Sequence, residues 1–247
     1  ILDWESDAEK AVFDMDHELF KLTDRFTDRL LELGRGNFIV GLTDFHPGGD
    51  HLAALRDPAN LAIDMIENLD WVKKKLTSSY PEYYRAYNHF YEKLRAADMP
   101  ITSWAALIHE GKYYIPSNDF SCMIGDDMFH EIFLPGIVEE CSFYDRSLYH
   151  LDGPGALRYL DTLLAIDGLN AIQWVPGAGN EGFGKWIDVY KRIQAAGKGM
   201  QITSLTVDDL PLLFEQLKPE GVYVSGVYGV NSEETAETVL KRFAAWK

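Results

Sequence analysis

Four short apolar runs decide the fold: Ser147-Leu148-Tyr149-His150-Leu151, Asn170-Ala171-Ile172-Gln173-Trp174, Met200-Gln201-Ile202-Thr203-Ser204 and Gly221-Val222-Tyr223-Val224-Ser225-Gly226-Val227. Each reads as a buried strand, and each is followed by a stretch of helical character, at 155–165, 182–196, 207–217 and 232–246. Four strand–helix units in a row make each helix a crossover, so the strands are expected to be parallel. All the strand-to-helix loops then emerge on one face. Asn231 and Glu234, three apart, are spaced like a capping box for the last helix.

Upstream, apolar residues at three- and four-residue spacing predict one amphipathic helix over 5–34, with Gly34 and Gly36 ending it. Phe38-Ile39-Val40-Gly41-Leu42 reads as a strand that ends in a polar, Gly-rich loop. A long helical region covers 50–98, punctuated by Pro58 and Pro81. A strand is expected over 101–107, with 112–115 as its antiparallel partner, then a polar loop over 116–121. A helix follows over 126–140, broken near Pro135. These readings total six main strands. A (β/α)₈ barrel of TIM type needs about two more. The chain begins Ile1-Leu2-Asp3 with no initiator Met, so an N-terminally incomplete barrel is the expectation. A doubly wound open sheet competes, although no G-x-G-x-x-G follows any strand. No internal repeat, low-complexity tract or Pro/Ser linker is present, and residues 1–247 are read as a single domain.

The 247 residues carry 23 basic and 39 acidic side chains, for a net charge of −16. That balance argues against a nucleic-acid or anionic-membrane partner, since both demand a basic patch. No apolar run is long enough to span a membrane. Two cysteines, Cys122 and Cys141, cannot build a disulfide scaffold or a four-thiolate zinc site; both read as buried structural thiols in a reduced, cytoplasmic protein.

Ligand sites in parallel α/β folds lie at the carboxyl ends of the strands. Those ends carry Asp44 and His46; Ser117, Asn118 and Asp119; His150 and Asp152; Gln173 and Trp174; and Ser204, Ser225 and Tyr228. Residues two apart on a strand face the same side, so His150 and Asp152 can ligate a metal or work as an acid–base pair. The turn Asp152-Gly153-Pro154-Gly155 accounts for the same aspartate structurally. Trp174 is either an apolar wall for a flat substrate or a cap on the core. Asp119 is either a carboxylate that orients substrate or a helix cap. Asp44-Phe45-His46 repeats the Asp/His chemistry ahead of Gly48-Gly49, where a ligand could approach the backbone closely. A plain loop-to-helix turn fits there equally well.

The segments Ser117-Asn118-Asp119-Phe120-Ser121, Phe133-Leu134-Pro135, 150–155 and 171–177 together resemble the uroporphyrinogen decarboxylase-like superfamily. Asp50-His51-Leu52-Ala53-Ala54-Leu55-Arg56 resembles that family's D-x-L-A-x-L-R-G stretch, with Asp57 where glycine is usual. The resemblance implies a (β/α)₈ barrel with a site at its mouth for a tetrapyrrole, a corrinoid or a small methyl acceptor. The family's decarboxylases carry an N-terminal Arg-rich stretch and an early catalytic Asp, which are not found here. Its thiol methyltransferases bind zinc through a His-x-Cys pair and a later Cys. The matching pair here is His150 and Asp152, and 224–230 contains no Cys, so a zinc–thiolate site is excluded while a zinc ion held by N and O ligands stays open.

The resemblance implies first a corrinoid-linked methyltransferase component, with a small-molecule or corrinoid substrate and a corrinoid protein as partner. Next comes a tetrapyrrole decarboxylase, and then a non-catalytic corrinoid-binding protein. His150, Asp152 and Asp119 are the expected catalytic residues. Asp44, His46, Ser117, Gln173, Trp174 and Tyr228 are the expected substrate contacts. Exposed strand edges would favour a homodimer.

Overall fold

A computed structural model describes residues 1–247, which form two compact units, Ile1–Ser147 and Leu148–Lys247. The division falls inside a strand, which is why no change of composition marks it in the sequence.

The first unit opens with α1 (Trp4–Asp7) and α2 (Glu18–Gly34) rather than with one helix over 5–34. Between them the Asp14 carboxylate accepts the Asp16 N–H at 2.8 Å, and His17 Nδ1 accepts the Leu19 N–H at 3.2 Å. These local side-chain-to-backbone bonds restart the helix in mid-run. Next come α3 (Gly48–Arg56), α4 (Pro58–Glu67) and α5 (Leu69–Ala96). Pro58 opens α4, where its missing N–H costs nothing. Asp57, between α3 and α4, has φ +78°, a conformation that favours glycine. Its carboxylate accepts the N–H groups of Ala59 (3.0 Å) and Asn60 (3.2 Å), which offsets the strain. Pro81 does not interrupt α5. Val72, Leu76, Tyr80, Tyr83, Tyr87, Phe90 and Leu94 keep one buried face running through it, so burial outweighs the proline penalty.

The strand expected over 38–42 does not form. Val40 and Leu42 are buried, and Leu42 N–H reaches Thr102 O at 2.9 Å. Only β1 (Ile101–Thr102) remains of the strand expected over 101–107, and its antiparallel partner is β2 (Ile108–His109). The segment 112–115 instead supplies β3 (Tyr113–Tyr114), parallel to the start of β4 (Arg146–Asp152). The polar loop over 116–121 contains a 3₁₀ turn, Asp119–Met123. Helix α6 (Asp126–Met128), a π-helical turn (Phe129–Phe133) and α7 (Leu134–Phe143) form one run. Pro135 has no N–H to return to the preceding turn, and the backbone widens there. Cys141 is buried as expected, but Cys122 is exposed.

The second unit holds the alternation: α8 (Leu160–Leu164), β5 (Ala171–Val175), α9 (Ile187–Ala195), β6 (Gly199–Ile202), β7 (Leu205–Thr206), α10 (Leu210–Gln216), β8 (Val222–Val224), β9 (Val227–Tyr228) and α11 (Glu233–Ala245). The main sheet is five-stranded and parallel, in the order β3-β4-β5-β6-β8, and β7 pairs in parallel with β9. Tyr149, Leu151, Ile172, Trp174, Met200 and Ile202 lie on one face of the strands and are fully buried. Leu160, Leu163, Tyr190, Ile193, Leu210 and Leu213 of the crossover helices are equally buried, as burial of parallel strands on both faces requires. Ser232, not Asn231, caps α11: its Oγ accepts the Thr235 N–H at 3.1 Å. No helix is long and apolar enough to cross a membrane.

Candidate functional site

A polar cluster of the first unit surrounds His46, in the loop between the extended 38–42 segment and α3. Its Nε2 lies 2.9 Å from Asp44 Oδ1. Its Nδ1 lies 3.5 Å from Ser117 Oγ, and Ser117 spends its proton on Asp50 Oδ2 at 2.6 Å. Asp50 Oδ1 also accepts the Phe120 N–H at 3.1 Å. Ser117 therefore has only lone pairs to offer His46, and Asp44 is an acceptor as well. Both ring nitrogens face acceptors, an arrangement that suits the doubly protonated imidazolium. Burial alone would lower the pKa of His46. The Asp44 hydrogen bond and charge, helped by Glu140 and Asp50, outweigh it and raise the pKa above the usual value. Tyr114 Oη accepts the Phe45 N–H (3.0 Å) and lies 3.0 Å from Asp44 Oδ1, so the loop carrying both residues is pinned to β3.

Glu140 of α7, 2% exposed, is near enough to His46 and Asp50 to feel the charge of both. Burial is the main reason its carboxyl is pushed up to about 8; the negative charge of Asp50 adds to this, while His46 and the Tyr144 hydroxyl oppose it. Tyr144 Oη donates to Glu140 Oε1 at 3.4 Å and is hydrogen-bonded to Tyr83 Oη. A buried acid and two buried phenols thus form one hydrogen-bonded chain. A cavity of about 400 Å³ in this unit has His46, Phe45 and Tyr83 in its wall.

In the second unit, backbone register builds a polar row. His150 pairs with Gln173, Gln173 with Gln201, and Gln201 with Tyr223. In-register neighbours share a face. His150 Nδ1 donates to Gln173 Oε1, and Gln173 Nε2 donates to Gln201 Oε1 at 2.7 Å. Asp152 follows His150 on the same face of β4.

The structure brings Asp44, His46 and Ser117 into one hydrogen-bonded group. Asn118 beside them is 3% exposed and packs on Gly49, where a Cβ would meet its Oδ1 at 2.2 Å. Asp119 opens the 3₁₀ turn and is exposed. Gln173 joins the polar row, but Trp174 faces the opposite side, fully buried, with its ring 5.0 Å from that of Trp186. Tyr228 is 65% exposed on β9, and Ser225 Oγ donates to Ile202 O at 3.2 Å. The second unit by itself offers a metal one imidazole and one carboxylate.

Sequence reading missed Asp50, Glu140, Tyr83, Tyr114, Tyr144 and Gln201. Gln201 had a signal: a lone polar residue inside an apolar strand, matching Gln173 one strand earlier. Glu140 had none, because its burial depends on packing between elements distant in sequence. No protein-family model, curated protein or solved structure matches the chain.

Proposed function

We propose that the protein is a uroporphyrinogen decarboxylase-like enzyme built on a (β/α)₈ barrel and working as a corrinoid-linked methyltransferase component. The barrel reading is supported by the all-parallel ladder with a crossover helix between successive strands. The observation that carries the activity is the position of His46, its ring nitrogens set against Asp44 and Ser117 at a cavity wall.

Methyl transfer from a heteroatom to a cobalt(I) corrinoid leaves a lone pair on that heteroatom. A positioned acid that supplies the proton lowers the barrier, typically by 10²–10⁴-fold in rate. In this reading the leaving heteroatom takes the place of Ser117 Oγ, 3.5 Å away, at His46 Nδ1 and receives that proton as the carbon–heteroatom bond breaks. Asp44, at Nε2, keeps the ring oriented. Decarboxylation of a tetrapyrrole polycarboxylate fits less well, because no lysine or arginine lines the cavity to grip carboxylates.

The test is to incubate the protein with cob(I)alamin and a panel of methylated oxygen, nitrogen and sulfur compounds, following the cobalamin spectrum, and in parallel to measure CO₂ release from a porphyrinogen. Formation of methylcobalamin without CO₂ release is expected. CO₂ release without methylcobalamin formation would overturn the assignment.

A further inference from the structure

The cavity beside His46 has a lining that selects one kind of ligand. Its rings form a continuous aromatic wall: Phe13 lies 5.3 Å from Phe20, Phe20 5.5 Å from Phe90, Phe90 6.2 Å from Phe45 and Phe45 5.3 Å from Tyr83, centroid to centroid. Leu19, Leu55 and Ala86 add aliphatic surface. A ligand that covers this wall gains from apolar burial and from offset or edge-on ring contacts. The volume, about 400 Å³, falls in the usual range for small-molecule pockets and exceeds what one bare benzene ring requires.

Charge in the lining is compensated. Glu82 faces Lys75 at 4.0 Å, and Lys75 Nζ also donates to Ala11 O. His46 is paired with Asp44. His51 is held neutral by burial and by the charge of Lys75, which together lower its pKa. An anion would find no unpaired cation there, and a cation no unpaired carboxylate; either would lose hydration without gaining a partner. Neutral hydrogen-bonding groups are nevertheless present. Ser79 Oγ, in the wall, donates to Leu76 O at 2.7 Å and retains acceptor lone pairs, and Thr23 and Thr43 contribute further hydroxyl residues.

We propose that this cavity binds a neutral ring compound bearing a single oxygen function, its ring against the Phe45–Phe90 wall and its oxygen toward the His46 end. Placing that compound as the substrate rests on the acid role of His46, whereas its binding does not.

The experiment is calorimetric titration of the whole chain with three probes of similar ring size: phenol, benzoate and benzyltrimethylammonium. Phenol is expected to bind at least tenfold more tightly than either ion. Ala86→Phe, which fills the cavity from its wall, is expected to abolish phenol binding. Thr23→Trp, at another part of the lining, serves the same purpose should Ala86→Phe fail to fold. Equal or tighter binding of an ion, absence of phenol binding, or undiminished binding in a folded filled variant would overturn the inference. His46→Gln separates the two readings. Phenol binding with undiminished methyl transfer in that variant would sink the acid role and leave the cavity assignment standing. Lost methyl transfer in that variant, with no phenol binding to the wild type, would do the reverse.

Discussion

Glu140→Gln tests the electrostatics of the site most cleanly, because it keeps shape and removes a proton equilibrium. The folded carboxyl titrates at about 8, against an ordinary 4.5. A raised pKa means that the folded state holds the proton more tightly than the unfolded chain. Stability from this proton is fully present below pH 4.5 and is lost progressively as pH rises to about 8. With ~1.4 kcal/mol for each pKa unit, the loss across that window is on the order of 5 kcal/mol. Glutamine has no proton to lose. Groups facing Glu140 also titrate or carry charge: His46 in the loop, Asp50 on α3, Tyr80, Tyr83 and Tyr84 on α5, Tyr114 on β3 and Tyr144 after α7. They remain in both proteins, but His46 loses the Glu140 charge that helps raise its pKa, so the same comparison in a His46→Gln background isolates residue 140. Urea unfolding at pH 5, 6, 7, 8 and 9 is the assay, read from the transition that contains the first unit. The variant should match the wild type near pH 5 and exceed it by several kcal/mol at pH 8–9. Parallel pH profiles for the two proteins would refute the claim that Glu140 is buried as an acid.

Three further outcomes follow from particular contacts. Asp57→Ala keeps the positive φ but loses the cap on α4, and should cost about 1–2 kcal/mol, whereas Asp57→Gly, which relieves the strain as it removes the cap, should stay within about 0.5 kcal/mol of the wild type in thermal unfolding. Gly49→Ala drives a methyl into the Asn118 side chain and should destabilise by about 1–3 kcal/mol; pairing it with Asn118→Ala should recover most of that loss. His46, with its pKa raised, adds stability that is complete below about pH 6.5 and disappears as pH rises through the folded value, so His46→Gln should flatten that alkaline limb in the same urea titrations.

The second unit was legible because its signals are local. Four apolar runs, each followed by a helical period, specify a parallel ladder; three strands stand where the pattern puts them, and the fourth, expected over 221–227, breaks at Ser225-Gly226 into β8 and β9, which pair in different sheets. The first unit resisted reading for physical reasons. Pro81 looks like a stop, but the buried tyrosine and leucine face of α5 holds the helix together across it. Residues 38–42 have strand composition but do not form a ladder. Asp14 and His17 interrupt a helical period with bonds that no periodicity count registers. At the site, Asp44, His46 and Ser117 were found because strand-end loops are the right place to look. Asp50 and Glu140 were not, since each is drawn in by tertiary packing. Gln173 and Trp174 were grouped as neighbours in sequence, yet strand alternation sends them to opposite faces, a separation that period two already implies.

Central to the account is that His46 acts as the proton donor in methyl transfer. The direct measurement is the rate of methylcobalamin formation by wild type and by His46→Gln, at saturating methyl donor, between pH 5 and 9. The wild-type rate should hold on the acid side and fall as His46 loses its proton above pH 6.5, and the variant should be at least ~100-fold slower with no such fall. A variant that turns over at the wild-type rate with the wild-type pH profile would contradict it.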